Sequence, residues 1–245
     1  MNDDFEKFKN RQIKAKGLFY VKEVDKPTAY EFVKLYHYLG DAKFFAVQSF
    51  GLFHKKTNRL VGVATYSLPQ GTCTPKSWFS LSVNDKNIYE LSRLCMVPEL
   101  NGTNATSYLL GASIRELKKQ KFVRAVITLA CSDRHVGSIY QVCNFKYYGL
   151  SEPKNDFYIE NGGLKSRGAT KNIKGAWLPR ARKHRYAYIL DETLRCNYEE
   201  QPKPSVEEVI PLKCCNGTLQ VHDGRFDVWY TCPKCTGVLK RIEGC

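Results

Sequence analysis

The stretch that decides the reading is residues 137–149, GSIYQVCNFKYYG. Just ahead of it, Ser132-Asp133 can cap a short helix over residues 135–142. After Asn144 the run 145–148 (FKYY) reads as a strand. Tyr140 is then a phenol carried on a short helix between two strands. Working outward, residues 123–131 (VRAVITLAC) form a buried strand, and 106–119 (TSYLLGASIRELKK) form an amphipathic helix with basic residues in its last turn. The polar loop 101–104 (NGTN) opens that helix, and the strand before it, 88–97 (IYELSRLCMV), stops at Pro98. Residues 45–53 and 60–66 are strands of a hairpin. A helix over 27–36, a first strand over 17–24 and a late strand over 186–190 complete the pattern, behind a polar lead-in of residues 1–16. The order β-α-β-β-β-α-β-α-β predicts an α/β fold, a mixed central sheet flanked by helices.

The chain has 245 residues, enough for one full core and a small appendage. Hydrophobic residues make up 43% and charged residues 25%, which excludes a disordered chain. No apolar run approaches the roughly 20 residues needed to span a bilayer. The charged first residues lack the apolar centre of a secretory signal. With 38 Lys and Arg against 24 Asp and Glu, the formal charge is +14. That favours a polyanionic partner, nucleic acid before a membrane surface. Of the ten cysteines, Cys73, Cys95, Cys131, Cys143 and Cys196 lie singly and read as small buried hydrophobes. The other five fall in the last 32 residues and mark a boundary.

The element order, with the short-helix Tyr, the Asn-Phe strand start and the later Gly149, resembles GNAT-type acyltransferases. The resemblance implies that Tyr140 protonates the departing thiolate of coenzyme A, a task suited to a phenol held near the sulfur. The plainer alternative is a core tyrosine with a satisfied hydroxyl. It also implies an acetyl-CoA or related acyl-CoA donor whose pyrophosphate sits at the helix start after residue 101, with Asn104 and Ser107. That loop is poorer in glycine than the usual GNAT loop and does not begin with Gln or Arg, so it either binds a donor or caps the helix.

A narrower resemblance rests on His37-Tyr38, on Glu90-Leu91-Ser92-Arg93-Leu94, on Asn104 with Ser107, and on Ser132-Asp133-Arg134-His135-Val136-Gly137 followed by Tyr140-Gln141 and Asn144-Phe145. Lys183-His184-Arg185-Tyr186 completes the set. In this order, over about residues 20–190, they resemble the Mom DNA-modification proteins of Mu-type phages. The resemblance implies a phage-encoded enzyme, acting in the host cytoplasm, that adds a carbamoylmethyl group to the exocyclic amine of adenine and so protects DNA from restriction. That amine is a poor nucleophile sheltered in the base stack, so the site needs a proton acceptor, donors for the acyl oxygen and a leaving-group acid. The resemblance makes Asp133 and His37, with Tyr38, candidate acceptors or orienters. It puts Ser92 and Arg93 near the donor, Ser107 at its phosphate end, and Tyr140 as the acid. The bland readings are an N-cap for Asp133 and a helix-end histidine for His37. His37, His54, His135 and His184 could include iron ligands, but their spacing forms no metal motif.

Residues 161–190 hold eight Lys or Arg and no acid. Lys165, Arg167, Lys171 and Lys174, among Gly and Asn, predict a loop that tracks a DNA backbone. Arg180, Arg182, Lys183 and Arg185 extend it, and Trp177 is placed to stack on a base. The alternative is a solvated basic loop with Trp177 in the core. Residues 197–205 (NYEEQPKPS) read as a linker, giving domains 1–196 and 197–245. In the tail, Cys214-Cys215 and Cys232-Pro233-Lys234-Cys235 flank a hairpin pattern and resemble a zinc ribbon. Adjacent thiolates point apart in a strand, so His222 or Cys245 can replace one of them. Three functions compete: the adenine modifier, an acyltransferase for RNA or protein amines, and an inactive DNA-binding module.

Overall fold

The computed structural model describes residues 2–37, 44–71, 74–159, 164–165, 175–205, 213–214, 217–218, 220–223, 228–231 and 238–241. Along the chain run α1 (Asn2–Lys9), α2 (Ala15–Leu18), β1 (Phe19–Glu23), α3 (Lys26–Tyr36), β2 (Gln48–His54), β3 (Leu60–Ser67), α4 (Thr74–Phe79), β4 (Ile88–Met96), α5 (Ala105–Lys119) and β5 (Ala125–Cys131). Then come α6 (Ser138–Val142), β6 (Lys146–Leu150), β7 (Lys154–Ile159), β8 (Leu164–Lys165), β9 (Gly175–Arg180) and β10 (Lys183–Ile189). The tail carries β11 (Lys213–Cys214), β12 (Gly217–Thr218), β13 (Gln220–Asp223), β14 (Val228–Thr231) and β15 (Val238–Arg241). The fold is mixed α/β, as the periodicity predicts. Seven strands form the main sheet in the order β1-β2-β3-β4-β5-β10-β6.

Every neighbouring pair in that sheet is antiparallel except β4 and β5. Those two are parallel and pair only from Ile88–Ala125 to Glu90–Ile127. Beyond that point they part. The cause lies partly in β4: its register against β3 jumps from Arg93–Thr65 to Leu91–Tyr66, leaving Ser92 as an extra residue. Such a bulge bends the strand. The Ser92 hydroxyl ties the bulge down by donating to the Thr65 carbonyl at 3.1 Å.

Helices α3 and α5 pack on the strands β2 to β4. Helix α3 starts where Asp25 accepts from the Thr28 N–H at 2.7 Å, with Pro27 in the first turn. The main core includes Leu52, Val63, Tyr66, Leu109, Leu110 and Phe145. A smaller cluster under α4 joins Trp78, Ile88, Ile127, Tyr148 and Leu194. Helix α4 is an element that the sequence analysis did not name.

Two stretches differ from expectation. The basic segment is not loop throughout: β9 pairs antiparallel with β7, and β8 with β7, as a separate three-stranded sheet. Nor are residues 197–205 a loose linker. The Gln201 N–H donates to Tyr147 at 2.9 Å, Asn197 donates to Trp78, and the Tyr198 ring meets Trp78 at 5.4 Å. In the tail, β11 and β12 form one hairpin and β13 to β15 a meander, so the expected hairpin over residues 220–230 is present as β13 and β14.

Candidate active site

The decisive stretch folds for local reasons. Gly137 adopts φ 74° and precedes α6, so it, not Ser132 or Asp133, is the N-cap position. The helix ends in a Schellman motif: the Phe145 N–H donates to Tyr140 at 3.0 Å and the Asn144 N–H to Gln141 at 3.3 Å. Asn144 takes the left-handed conformation the motif needs, φ 63°. Phe145 is fully buried and anchors β6. Tyr140 is thereby wedged between Phe145 and Tyr186, with ring centroids 5.8 and 5.5 Å away.

Where β4 and β5 part lies a cavity of about 940 Å³. Ser92 and Arg93 from β4, Cys131 from β5, Tyr140 from α6 and Lys183 from β10 line it. So do His37, Glu90, Asp133, His135, Lys154 and Arg180. The sequence-named Tyr140, Asp133, Arg93, His37 and Ser92 thus share one chamber. Tyr38 lies outside the described residues. Asp133 is buried in the wall, and its expected alternative role as helix cap is excluded by the position of Gly137.

The chamber's electrostatics separate its groups. Burial pushes the Tyr140 phenol up, while its hydrogen bond with Thr128 acts the other way. The half-buried Glu90 carboxyl is raised by desolvation, opposed by the Gln70 N–H at 3.0 Å and by Arg93 and Lys183. His37 is held down to about 3 by burial and by the Arg93 guanidinium. It is therefore neutral near pH 7 and can accept a hydrogen bond, but it is too weak a base to take a proton there. A phenol kept protonated beside a carboxylate is the arrangement needed for paired acid and base work. Glu90 was not named as a site residue by sequence reasoning. Its signal was available: an acid inside the apolar strand IYELSRLCM, as Arg93 is a base inside it.

Asn104 and Ser107 line a second cavity of about 840 Å³ at the start of α5. Asn104 is the N-cap residue without a side-chain capping bond, and the Ser107 hydroxyl donates to the Asn104 carbonyl at 2.9 Å. Lys9, Arg11 and Lys14, from α1 and the turn after it, face the same space. Ile139 lines both cavities, so the two adjoin at α6.

The cations read as DNA contacts divide. Lys183 is a correction: it is only 6% exposed, with its ammonium donating to the Cys131 sulfur. Arg185 is half-buried, donates to Leu150 at 2.7 Å and lies 3.9 Å over the Tyr198 ring. Arg182 donates to Ser151 at 2.6 Å. Arg180 stands at the chamber, 3.8 Å from Asp156. Trp177 on β9 is 49% exposed and rests against Phe157 at 5.3 Å. Lys165 lies on β8, and Arg167, Lys171 and Lys174 fall outside the described residues.

Of the histidines, His54 sits by Asp4 at 3.5 Å and His184 bonds the Tyr147 hydroxyl at 2.9 Å, so neither faces the chamber. Among the described residues no group of three His, Cys, Asp or Glu is placed to hold a metal. Cys214 lies on β11, while Cys215, Cys232, Cys235 and Cys245 fall outside the described residues, as does Cys73. Among the described residues, no helix is long and apolar enough to cross a membrane.

No curated protein matches the chain in sequence. Among solved structures it is similar to the ribosomal-protein-S18-alanine N-acetyltransferase from Escherichia coli, with a TM-score of 0.43, 11% identity, and coverage of 71% of this chain and 95% of that one. The spermidine/spermine N-acetyltransferase from Vibrio cholerae gives a TM-score of 0.46 at 9% identity, covering 72% and 95%. A Bacillus subtilis acetyltransferase in complex with CoA gives 0.41 at 13%, covering 70% and 97%. The model of the Mom protein family matches residues 18–205, which spans the seven-stranded sheet, the chamber between β4 and β5 and the docked segment after β10, and the chain belongs to that family.

Proposed function

We propose that this protein transfers a small acyl group from an acyl-CoA donor to the exocyclic amine of adenine in DNA, forming an amide there and protecting the DNA from restriction. The observation that carries the reading is the chamber between β4 and β5, lined by both Tyr140 and Glu90. In this account the donor's thioester lies at Tyr140, which protonates the leaving thiolate. Glu90 takes the amine proton, and Arg93, next to the bulge that Ser92 ties down, holds the acyl oxygen. The donor's phosphates extend past Ile139 to the start of α5, where Lys9, Arg11 and Lys14 supply positive charge beside Asn104 and Ser107.

The DNA runs over the β7–β9 sheet in this reading. Arg180, Lys165, Arg167, Lys171 and Lys174 meet phosphates and Trp177 fills the gap left by a flipped adenine. The Mom family membership and the excess positive charge support the choice of DNA. The tail holds zinc through Cys214, Cys215, Cys232 and Cys235, because strands this short carry too little core to fold alone. Purified protein is offered acetyl-CoA together with an adenine-containing duplex, tRNA or a lysine-rich peptide. Transfer to the duplex alone supports the proposal, and transfer only to tRNA or peptide replaces it with a different acceptor.

A further inference from the structure

Cys131 and Lys183 stand out because the proposed chemistry leaves them without a task. They end and begin neighbouring strands: Cys131 closes β5, Lys183 opens β10, and the two are register partners. Side chains directly opposite in an antiparallel pair share a face. Here that face is the chamber wall, which both residues line together with Glu90 and Tyr140. The Lys183 ammonium donates to the Cys131 sulfur. Both side chains are buried, at 6% and 4% exposure. A buried ammonium is costly unless it has an anionic or strongly polar partner. A thiolate is such a partner, and a thiolate beside a cation is the activated form of cysteine.

Tyr140 is close enough to this pair that negative charge on Cys131 or on Glu90 pushes its phenol further up. Nucleophile, activating cation, proton donor and carboxylate therefore meet in one space. We propose that Cys131 is a covalent nucleophile that carries the acyl group between donor and acceptor, with Lys183 holding it as the thiolate. The inference rests on the acyl-transfer reading above and adds a step to it.

In the first half-reaction the Cys131 thiolate attacks the carbonyl carbon of a donor thioester, forming an Sγ–C bond. The donor's own C–S bond breaks, and its thiolate leaves with the Tyr140 proton. In the second, the acceptor amine attacks the new thioester, forming C–N while Sγ–C breaks. The amine proton passes to Glu90, and Cys131 returns as a thiolate beside Lys183. Proton exchange with solvent resets Tyr140 and Glu90. No oxidant or reductant is involved.

The full-length protein is incubated with acetyl-CoA in the absence of acceptor, quenched in acid and digested for peptide mass analysis. An acetyl group on the Cys131 peptide, released by hydroxylamine as a thioester is, is the expected result. It is absent in Cys131→Ser and at least tenfold slower to form in Lys183→Met. In parallel, DNA from cells expressing wild type or Cys131→Ser is weighed as nucleosides, with circular dichroism showing that the variant is folded. Modified adenine from wild type and its loss in folded Cys131→Ser supports the nucleophile. Equal modification by both overturns it while leaving the acyl-transfer reading intact. An acetylated Cys131 with unmodified DNA keeps the nucleophile and overturns the DNA acceptor. Neither adduct nor modified adenine overturns both.

Discussion

Gly137 and Tyr140 are locked together by the absence of a side chain: a Cβ on Gly137 would stand 2.9 Å from Cδ2 of the Tyr140 ring and 2.8 Å from Cε2 of Tyr186. Gly137 also holds φ 74°, a conformation other residues adopt at a cost of roughly 1–2 kcal/mol. Gly137→Ala meets both penalties, with ring atoms that are packed and cannot swing away. Thermal unfolding is expected to shift down by several degrees, and product formation to fall with the displaced phenol. An unchanged melting temperature would mean that α6 is free to re-seat.

Tyr140→Phe removes the proton and little else. The hydroxyl's bond with Thr128 is worth about 1 kcal/mol, so the variant remains folded. Its product formation is expected to drop by about a hundredfold or more, the usual weight of a general acid. DNA affinity, measured by filter binding, should match wild type.

Glu90 gives the reaction a pH dependence of known sign. A base works only when deprotonated, and desolvation raises the Glu90 carboxyl above its ordinary value. The rate therefore climbs with pH through a limb lying above the usual carboxylate range, which is near 4.3. In Glu90→Gln that limb disappears and the rate is low throughout. A wild-type limb at the ordinary carboxylate position would remove Glu90 from the role.

His37 makes a prediction about stability. Its folded value of about 3 lies below the ordinary histidine value of about 6.5. The unfolded chain binds the proton first, so acid favours unfolding, and stability is lost as pH falls from 6.5 toward 3. Between pH 7 and pH 5 this amounts to about 2 kcal/mol. Denaturant titrations of wild type and His37→Gln at the two pH values should differ by that loss. Parallel curves would show that His37 titrates normally.

Trp177→Ala tests the β7–β9 sheet as the DNA surface. Loss of one stacked base is worth about 1–3 kcal/mol, a fall of roughly tenfold or more in affinity. The dependence of binding on salt should persist, since the phosphate contacts remain. Wild-type affinity in this variant would move the interface elsewhere.

Much of the site was legible where the chemistry is local. Asn144-Phe145 announces a helix end because asparagine tolerates the left-handed turn and phenylalanine anchors the next strand. Arg93 entered through the family resemblance, and its place as a charge inside the apolar strand 88–97 is a signal that Glu90 shares. Lys183 was illegible because its partner Cys131 is 52 positions away and only strand register brings them together. A run of lysines and arginines reads as a solvated face from composition alone, yet Lys183 and Arg185 are drawn inward by the sheet. Strand β9 was hidden by Pro179 and by its glycine-rich approach, and it exists because β7 supplies the pairing edge. Helix α4, short and opened by Pro75, is fixed by Trp78 packing beneath the sheet and not by propensity.

The central claim is that the chamber beside Tyr140 modifies adenine in DNA. It is tested most directly by weighing the nucleosides of DNA taken from cells that express wild type or Tyr140→Phe. The account predicts an adenine heavier by a small acyl group in the first and unmodified adenine in the second. Unmodified adenine in both, with the protein folded and abundant, would contradict it.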